Sequence, residues 1–170
     1  GSTDDSGAII DRYAKQDSRI RVFKKLNTGL ADSLNYGIKY AQGEWIARID
    51  ADDLCKSCRL EKQIQLVRED SNLVLLGSGL KLIDKHGLVG KAYRYPADHG
   101  RLVKKLTHGG NFFAHSSVIY KSNVVRNLGM YRERIRRAED RDLWLRLSQI
   151  GKIGCLKEPL VFIRKHENQI

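Results

Sequence analysis

Cysteine, proline and methionine are scarce in this 170-residue chain, at three, two and one. An odd number of cysteines does not close a disulfide framework, and Cys155 has no obvious partner, so little supports an extracellular origin. Cys55 and Cys58 form a lone Cys-x-x-Cys without the second pair that a zinc site of this spacing needs. They read as ordinary buried or half-buried thiols rather than a redox or zinc pair. No apolar run approaches the roughly 20 residues that cross a bilayer, and no signal-peptide pattern opens the sequence. No repeat, low-complexity segment or linker divides it. These absences lead to the expectation of one cytoplasmic domain over residues 1–170. Acidic residues are in deficit too, 20 against 31 basic ones, for a net charge of +11. The surplus favours anionic partners such as nucleotides or an acidic membrane surface. Nucleic acid is not expected, because the basic residues are scattered and no aromatic stacking motif runs among them.

What is present is most informative at residues 44–53, Glu-Trp-Ile-Ala-Arg-Ile-Asp-Ala-Asp-Asp, a short apolar run ending in Asp50, Asp52 and Asp53. In an open parallel sheet, ligands bind beyond the carboxyl ends of the strands. Acids at such an end suit a hard divalent cation, which takes oxygen ligands and leaves a face for phosphates. The plainer alternative is a polar loop that caps the next helix, since Asp is a favoured N-cap.

Helical and extended patterns alternate along the chain. Asp4, Asp5 and Ser6 offer caps for a helix carrying Ile9, Ile10 and Tyr13, and Arg19 to Phe23 reads as a strand. Leu30, Leu34, Ile38 and Ala41 recur at helical spacing until Gly43, directly before the strand that ends at Asp50. Leu60, Ile64 and Val67 mark another helix, Leu73 to Ile83 is extended, and Leu102, Val103 and Leu106 are helical. Ser117 to Tyr120 predicts a short strand leading to a helix that ends near Gly129. Such alternation predicts an α/β domain with a largely parallel sheet flanked by helices.

Two further clusters carry chemistry. Residues 138–147 predict a helix with Leu143 and Leu147 inward and an acidic first turn, Glu139, Asp140 and Asp142; the backbone dipole alone would favour acids there. Near the end of the sequence, His166 follows an apolar strand through Phe162 and Ile163, where it can serve as a ligand or lie on the surface.

Taken together these blocks resemble the family 2 glycosyltransferases of the GT-A fold. The matching segments run in family order: Gly1 to Ser6; Asn27-Thr28-Gly29-Leu30 with Asn35 to Ile38; Gly43 through Asp53; Arg59 to Gln63; His115-Ser116-Ser117; Glu139-Asp140 with Asp142 to Leu147; and Arg164 with His166 and Gln169. Each is weak alone, and seven in order over the whole length are specific. The resemblance implies a Rossmann-like open twisted sheet and an inverting transfer of a sugar from a nucleotide sugar, most naturally a UDP-sugar, to an acceptor hydroxyl.

By the same resemblance, Asp50 and Asp52 would hold Mg or Mn against the donor diphosphate, with His166 completing the metal site. A divalent ion there offsets the charge that builds on a departing nucleoside diphosphate. Asn27 and Gly29 would lie near the donor nucleotide together with Asp50. Asp140 matches the general base, which must reach the acceptor hydroxyl. Glu139 and His115 would face the acceptor, His115 alternatively serving the structure. Arg48 and Arg164 would meet phosphate or make structural ion pairs. The family pattern also implies a saccharide or lipid-linked acceptor in surface polysaccharide assembly, with peripheral contact to the inner face of the membrane, which the positive charge would suit.

The departures carry expectations of their own. Relatives normally begin with a strand, a proline-containing turn and an Asp-Asp pair ahead of Gly-Ser-Thr, and here the sequence starts at Gly1. An N-terminally truncated GT-A domain is therefore expected, with an exposed sheet edge that invites pairing, for instance in a homodimer. Cys58 stands where relatives commonly carry proline, a local change in stiffness. Two other readings compete: a metal-dependent phosphatase with Asp50 as nucleophile, which leaves Glu139-Asp140 unexplained, and an inactive transferase domain acting as a binding module. A calcium loop fails, since Leu54 and Cys55 stand where it needs an oxygen ligand and a glycine.

Overall fold

A computed structural model describes residues 2–110 and 113–165. The described residues form six α-helices and six strands, in chain order α1 Ser6–Gln16, α2 Leu30–Tyr40, β1 Trp45–Ala47, β2 Leu54–Cys55, α3 Arg59–Glu69, β3 Leu73–Ile83, β4 Val89–Tyr93, α4 His99–Thr107, β5 Ile119–Lys121, α5 Ser122–Asn127, α6 Glu139–Ile150 and β6 Lys152–Arg164. A 3-10 turn, His115–Ser117, precedes β5. Among the described residues no helix is long and apolar enough to cross a membrane.

The sheet is mixed, in the order β1-β5-β3-β6-β2 with β4 beside β3. Its longest ladder, β3 on β6, is parallel, which is where the expected parallel character resides. The pairings of β1 with β5, β2 with β6, β3 with β4 and β3 with β5 are antiparallel. The strand expected at Arg19–Phe23 forms no ladder; Phe23 instead stacks on Tyr40 at 4.9 Å and meets Tyr36 edge-on. Extended backbone becomes a strand only where a neighbour takes its hydrogen bonds, and no described strand lies alongside.

Helices cover both faces of β3. Leu75 packs with α2, α4 and α6 through Ile38, Leu102, Leu106, Leu143, Trp144 and Leu147. Leu73 and Leu76 pack with Val67 of α3 and Ile119 of β5. Leu143, Trp144 and Leu147 are fully buried, each contributing about 1.5–3 kcal/mol by leaving water. α6 is thereby fixed, and with it the position of its acidic first turn. α1, by contrast, buries none of its residues, and Ile9, Ile10 and Tyr13 remain about half exposed.

Candidate active site

β1 ends at Ala47, but Arg48 keeps one bond toward the sheet, its N–H donating to the Val118 carbonyl at 3.2 Å. The chain then turns, with the Asp53 N–H reaching the Asp50 carbonyl at 3.3 Å. This turn brings carboxylate oxygens of Asp50, Asp52 and Asp53 within 4.8 Å of one another. Three acids this close repel unless compensated. Arg48, itself buried, grips Asp50 through both terminal nitrogens, a bidentate charge-assisted pair.

Asp53 is buried, and loss of hydration pushes its carboxyl above the ordinary value; hydrogen bonds from Ser116 and Arg164 pull against that, while the charges of Asp52 and Asp50 add to it. The Arg164 N–H donates to Asp53 Oδ1 at 2.9 Å, and Arg164 Nε donates to the Asp52 carbonyl at 2.9 Å. The acidic turn is thus tied to the last residue of β6. Behind it, buried Arg59 of α3 donates to the Arg48 and Val118 carbonyls at 3.1 and 3.0 Å and to Gln63 Oε1 at 3.0 Å. Gln63 Nε2 continues to the Leu76 and Ser117 carbonyls at 3.2 and 2.9 Å. The Arg59 to Gln63 segment therefore supports the turn through hydrogen bonds to buried backbone carbonyls.

The 3-10 turn links this acid cluster to α6. Ser116 contacts Asp50 and Asp53, while the adjacent His115 places Nε2 2.7 Å from the Tyr131 hydroxyl and sets its ring edge-on to Trp144. Burial, helped by the nearby Arg48 charge, pushes His115 down to about 3, so its ring is neutral at physiological pH. Burial raises the Tyr131 hydroxyl, with smaller contributions from Tyr120 and from Asp140, which lies within electrostatic reach. α6 opens after Ala138, a left-handed residue at φ 61°. Asp140 is almost fully buried in its first turn and accepts the Arg141 N–H at 2.6 Å. Asp142 is held by Arg132 at 3.0 Å and Arg146 at 2.7 Å.

A cleft of about 1000 Å³ opens between the start of α2, at Thr28, Gly29 and Leu30, and the segment before α6, at Arg136, Arg137 and Glu139. Gly29 adopts φ 105°, which side chains rarely tolerate, and its N–H donates to Asn27 Oδ1 at 3.3 Å. A Cβ at Gly29 would meet no protein atom within 4 Å, so the glycine is required here by conformation and leaves the wall of the cleft bare. A second groove, of about 380 Å³ beside Trp45 and Ile64, contains none of the candidate residues.

The structure therefore brings Asp50 and Asp52 together and adds Asp53; it sets Gly29 and Glu139 on one cleft, with Asn27 supporting the turn; and it joins His115 to Tyr131, while Asp140 lies buried at the start of α6. His166 lies outside the described residues. Sequence reasoning gave Ser116 and Tyr131 no role of their own and did not foresee the anchoring of Asp53. Two adjacent serines between Phe113 and Ile119 were the available signal, because hydroxyls inside an apolar stretch require partners.

The family model described as Glycosyl transferase family 2 matches residues 1–129. EpsE of Bacillus subtilis is 35% identical over 169 residues, covering 96% of this chain and 59% of EpsE. The O-antigen biosynthesis glycosyltransferase WbnJ of Escherichia coli is 31% identical over 138 residues, covering 81% of this chain and 53% of WbnJ. The chain thus spans little more than half the length of these curated relatives. Among solved structures, S. aureus TarS 1-349 in complex with UDP-GlcNAc superposes with a TM-score of 0.74 at 18% identity, over 99% of this chain and 48% of that one. The fold is of the GT-A type, and the chain belongs to glycosyl transferase family 2.

Proposed function

We propose that this chain moves a sugar from a nucleoside-diphosphate sugar, with UDP-sugar the favoured donor, to an acceptor hydroxyl with inversion, in the assembly of a surface polysaccharide. The observation that carries this reading is the close cluster of Asp50, Asp52 and Asp53 just beyond β1, together with a buried acid, Asp140, in the first turn of α6. The WbnJ and TarS matches support the polysaccharide setting and the UDP donor.

The acid cluster suits a hard divalent cation, because carboxylate oxygens are the ligands Mg and Mn accept. Asp52 and Asp50 would hold it, with Asp50 already oriented by Arg48. When bound, the ion stabilises the negative charge of the leaving diphosphate. The donor nucleotide would lie in the cleft at Gly29, whose bare wall permits close approach. Asp140 accepts the proton of the acceptor hydroxyl as that oxygen bonds to the anomeric carbon; the bond from that carbon to the diphosphate oxygen breaks, and the nucleoside diphosphate leaves. Glu139 and His115 shape the acceptor side.

A hydrolase using Asp50 as nucleophile fits less well, because it leaves the buried Asp140 in the first turn of α6 without a role. The direct test is nucleoside-diphosphate release from UDP-sugars by the wild-type chain and Asp140→Asn, with the anomeric configuration of the product read by NMR. Inverted product from wild type, and turnover reduced by about 10²–10⁴-fold in the variant, are expected. Retained configuration, or an Asp140→Asn variant as active as wild type, would overturn the assignment.

A further inference from the structure

We propose that Ser116 is a positioning residue for the cation-binding acids: it anchors Asp53 and, with Arg48, fixes the orientation in which Asp50 stands beside Asp52. The inference rests on the reading that these acids hold a divalent cation.

A serine hydroxyl has one proton to donate and two lone pairs to accept with. Ser116 is 1% exposed, so bulk water satisfies none of them. The protein fills all three. The Asp50 N–H donates to Oγ at 2.9 Å and Arg48 Nη1 donates at 3.3 Å. The single proton then has two acceptors in range, Asp53 Oδ2 and, farther away at 3.1 Å, Asp50 Oδ2. Donation to Asp53, the closer of the two, leaves the Asp50 carboxylate to Arg48.

Asp53 is thereby occupied at both oxygens, Oδ2 by Ser116 and Oδ1 by the Arg164 N–H at 2.9 Å. A buried carboxylate held in this way fixes the turn between β1 and β2 against the end of β6. Asp50 is held by its N–H and, through Arg48, by its side chain, with Ser116 at the junction of both contacts. Ser116 carries no charge. Replacing it therefore removes no carboxylate and no formal charge from the acid cluster. Groups one shell out from a metal typically change its affinity by 10–100-fold when removed.

The test is titration of the chain with Mn alone, followed by the paramagnetic resonance of free and bound ion, for wild type, Ser116→Ala and Asp52→Ala, with thermal unfolding measured in parallel. Asp52→Ala should abolish binding. Ser116→Ala should bind at least about 10-fold more weakly, and its bound-Mn spectrum at saturation should differ from wild type, which a general loss of stability would not produce. A folded Ser116→Ala that binds Mn within twofold of wild type, with the same spectrum, would overturn the role of Ser116 alone. A folded wild type that binds no Mn would overturn the cation reading and this assignment with it. Should the alanine variant not fold, Ser116→Cys fills the same volume with a weak donor and acceptor; the same loss is expected, and retained affinity again overturns the role.

Discussion

Asn35 and Tyr131 form a two-point clamp: the Asn35 amide nitrogen donates to the Tyr131 carbonyl at 2.9 Å, and the Tyr131 N–H donates to Asn35 Oδ1 at 2.9 Å. A side chain of α2 thereby imitates a strand partner for the segment that leads into α6. Both walls of the large cleft depend on it, since Gly29 lies at one end of the clamp's helix and Glu139 follows the clamped segment.

Asn35→Ala leaves a buried N–H and a buried carbonyl without partners, and the expected cost is about 2–4 kcal/mol, measured by urea unfolding. Asn35→Asp should be no better, because it cannot donate to the carbonyl and brings a charge toward Glu133, now 3.4 Å from the amide nitrogen. A loss under about 0.5 kcal/mol in either variant would show that water or a shifted backbone replaces the clamp.

Gly77 lies on β3 against Phe113, and a Cβ there would sit 2.2 Å from the ring. Phe113 is buried, so the ring has little room to move. Gly77→Ala should cost about 1–3 kcal/mol by overpacking. Combined with Phe113→Ala, the total should fall short of the two separate losses, because the second change removes the clash. Additive losses would contradict the packing described.

His115 gives a pH dependence whose sign is fixed by burial. Its folded value, about 3, lies below the ordinary 6.5, so the unfolded chain binds the proton more readily across that interval. The stabilisation is complete above 6.5 and is lost as pH falls toward 3. Wild type should therefore lose up to about 1.4 kcal/mol per pH unit more than His115→Phe within this window. Parallel stability profiles for the two proteins would show that His115 is not buried as a neutral ring.

Much of this arrangement is legible in the sequence because it is local. The apolar run toward Asp50, the helical spacing before Gly43 and the acidic opening of α6 each declare themselves within about ten residues, and the structure forms a strand there, ending at Ala47 and so short of Asp50, with a helix at Leu30–Tyr40 and another from Glu139. The segment at Arg19–Phe23 was misread because a strand is defined by its neighbour, which a local pattern does not contain. Ser116, Tyr131 and the anchoring of Asp53 were illegible for a related reason: their partners lie 63 residues away for Ser116 with Asp53 and 96 for Asn35 with Tyr131. Only the fold brings such side chains together. Arg48 shows the intermediate case, since its proximity to Asp50 is evident in the sequence and its bidentate grip is not.

The central claim is that the acids after β1 form a cation-dependent nucleotide site. It is tested most directly by calorimetric titration of the chain with UDP, dTDP and GDP, with and without Mn, repeated on Asp52→Ala. Nucleotide binding that requires Mn and disappears in Asp52→Ala is the predicted result, with UDP bound most tightly. A folded chain that binds none of the three with Mn present, or binds equally well after Asp52→Ala, would contradict it.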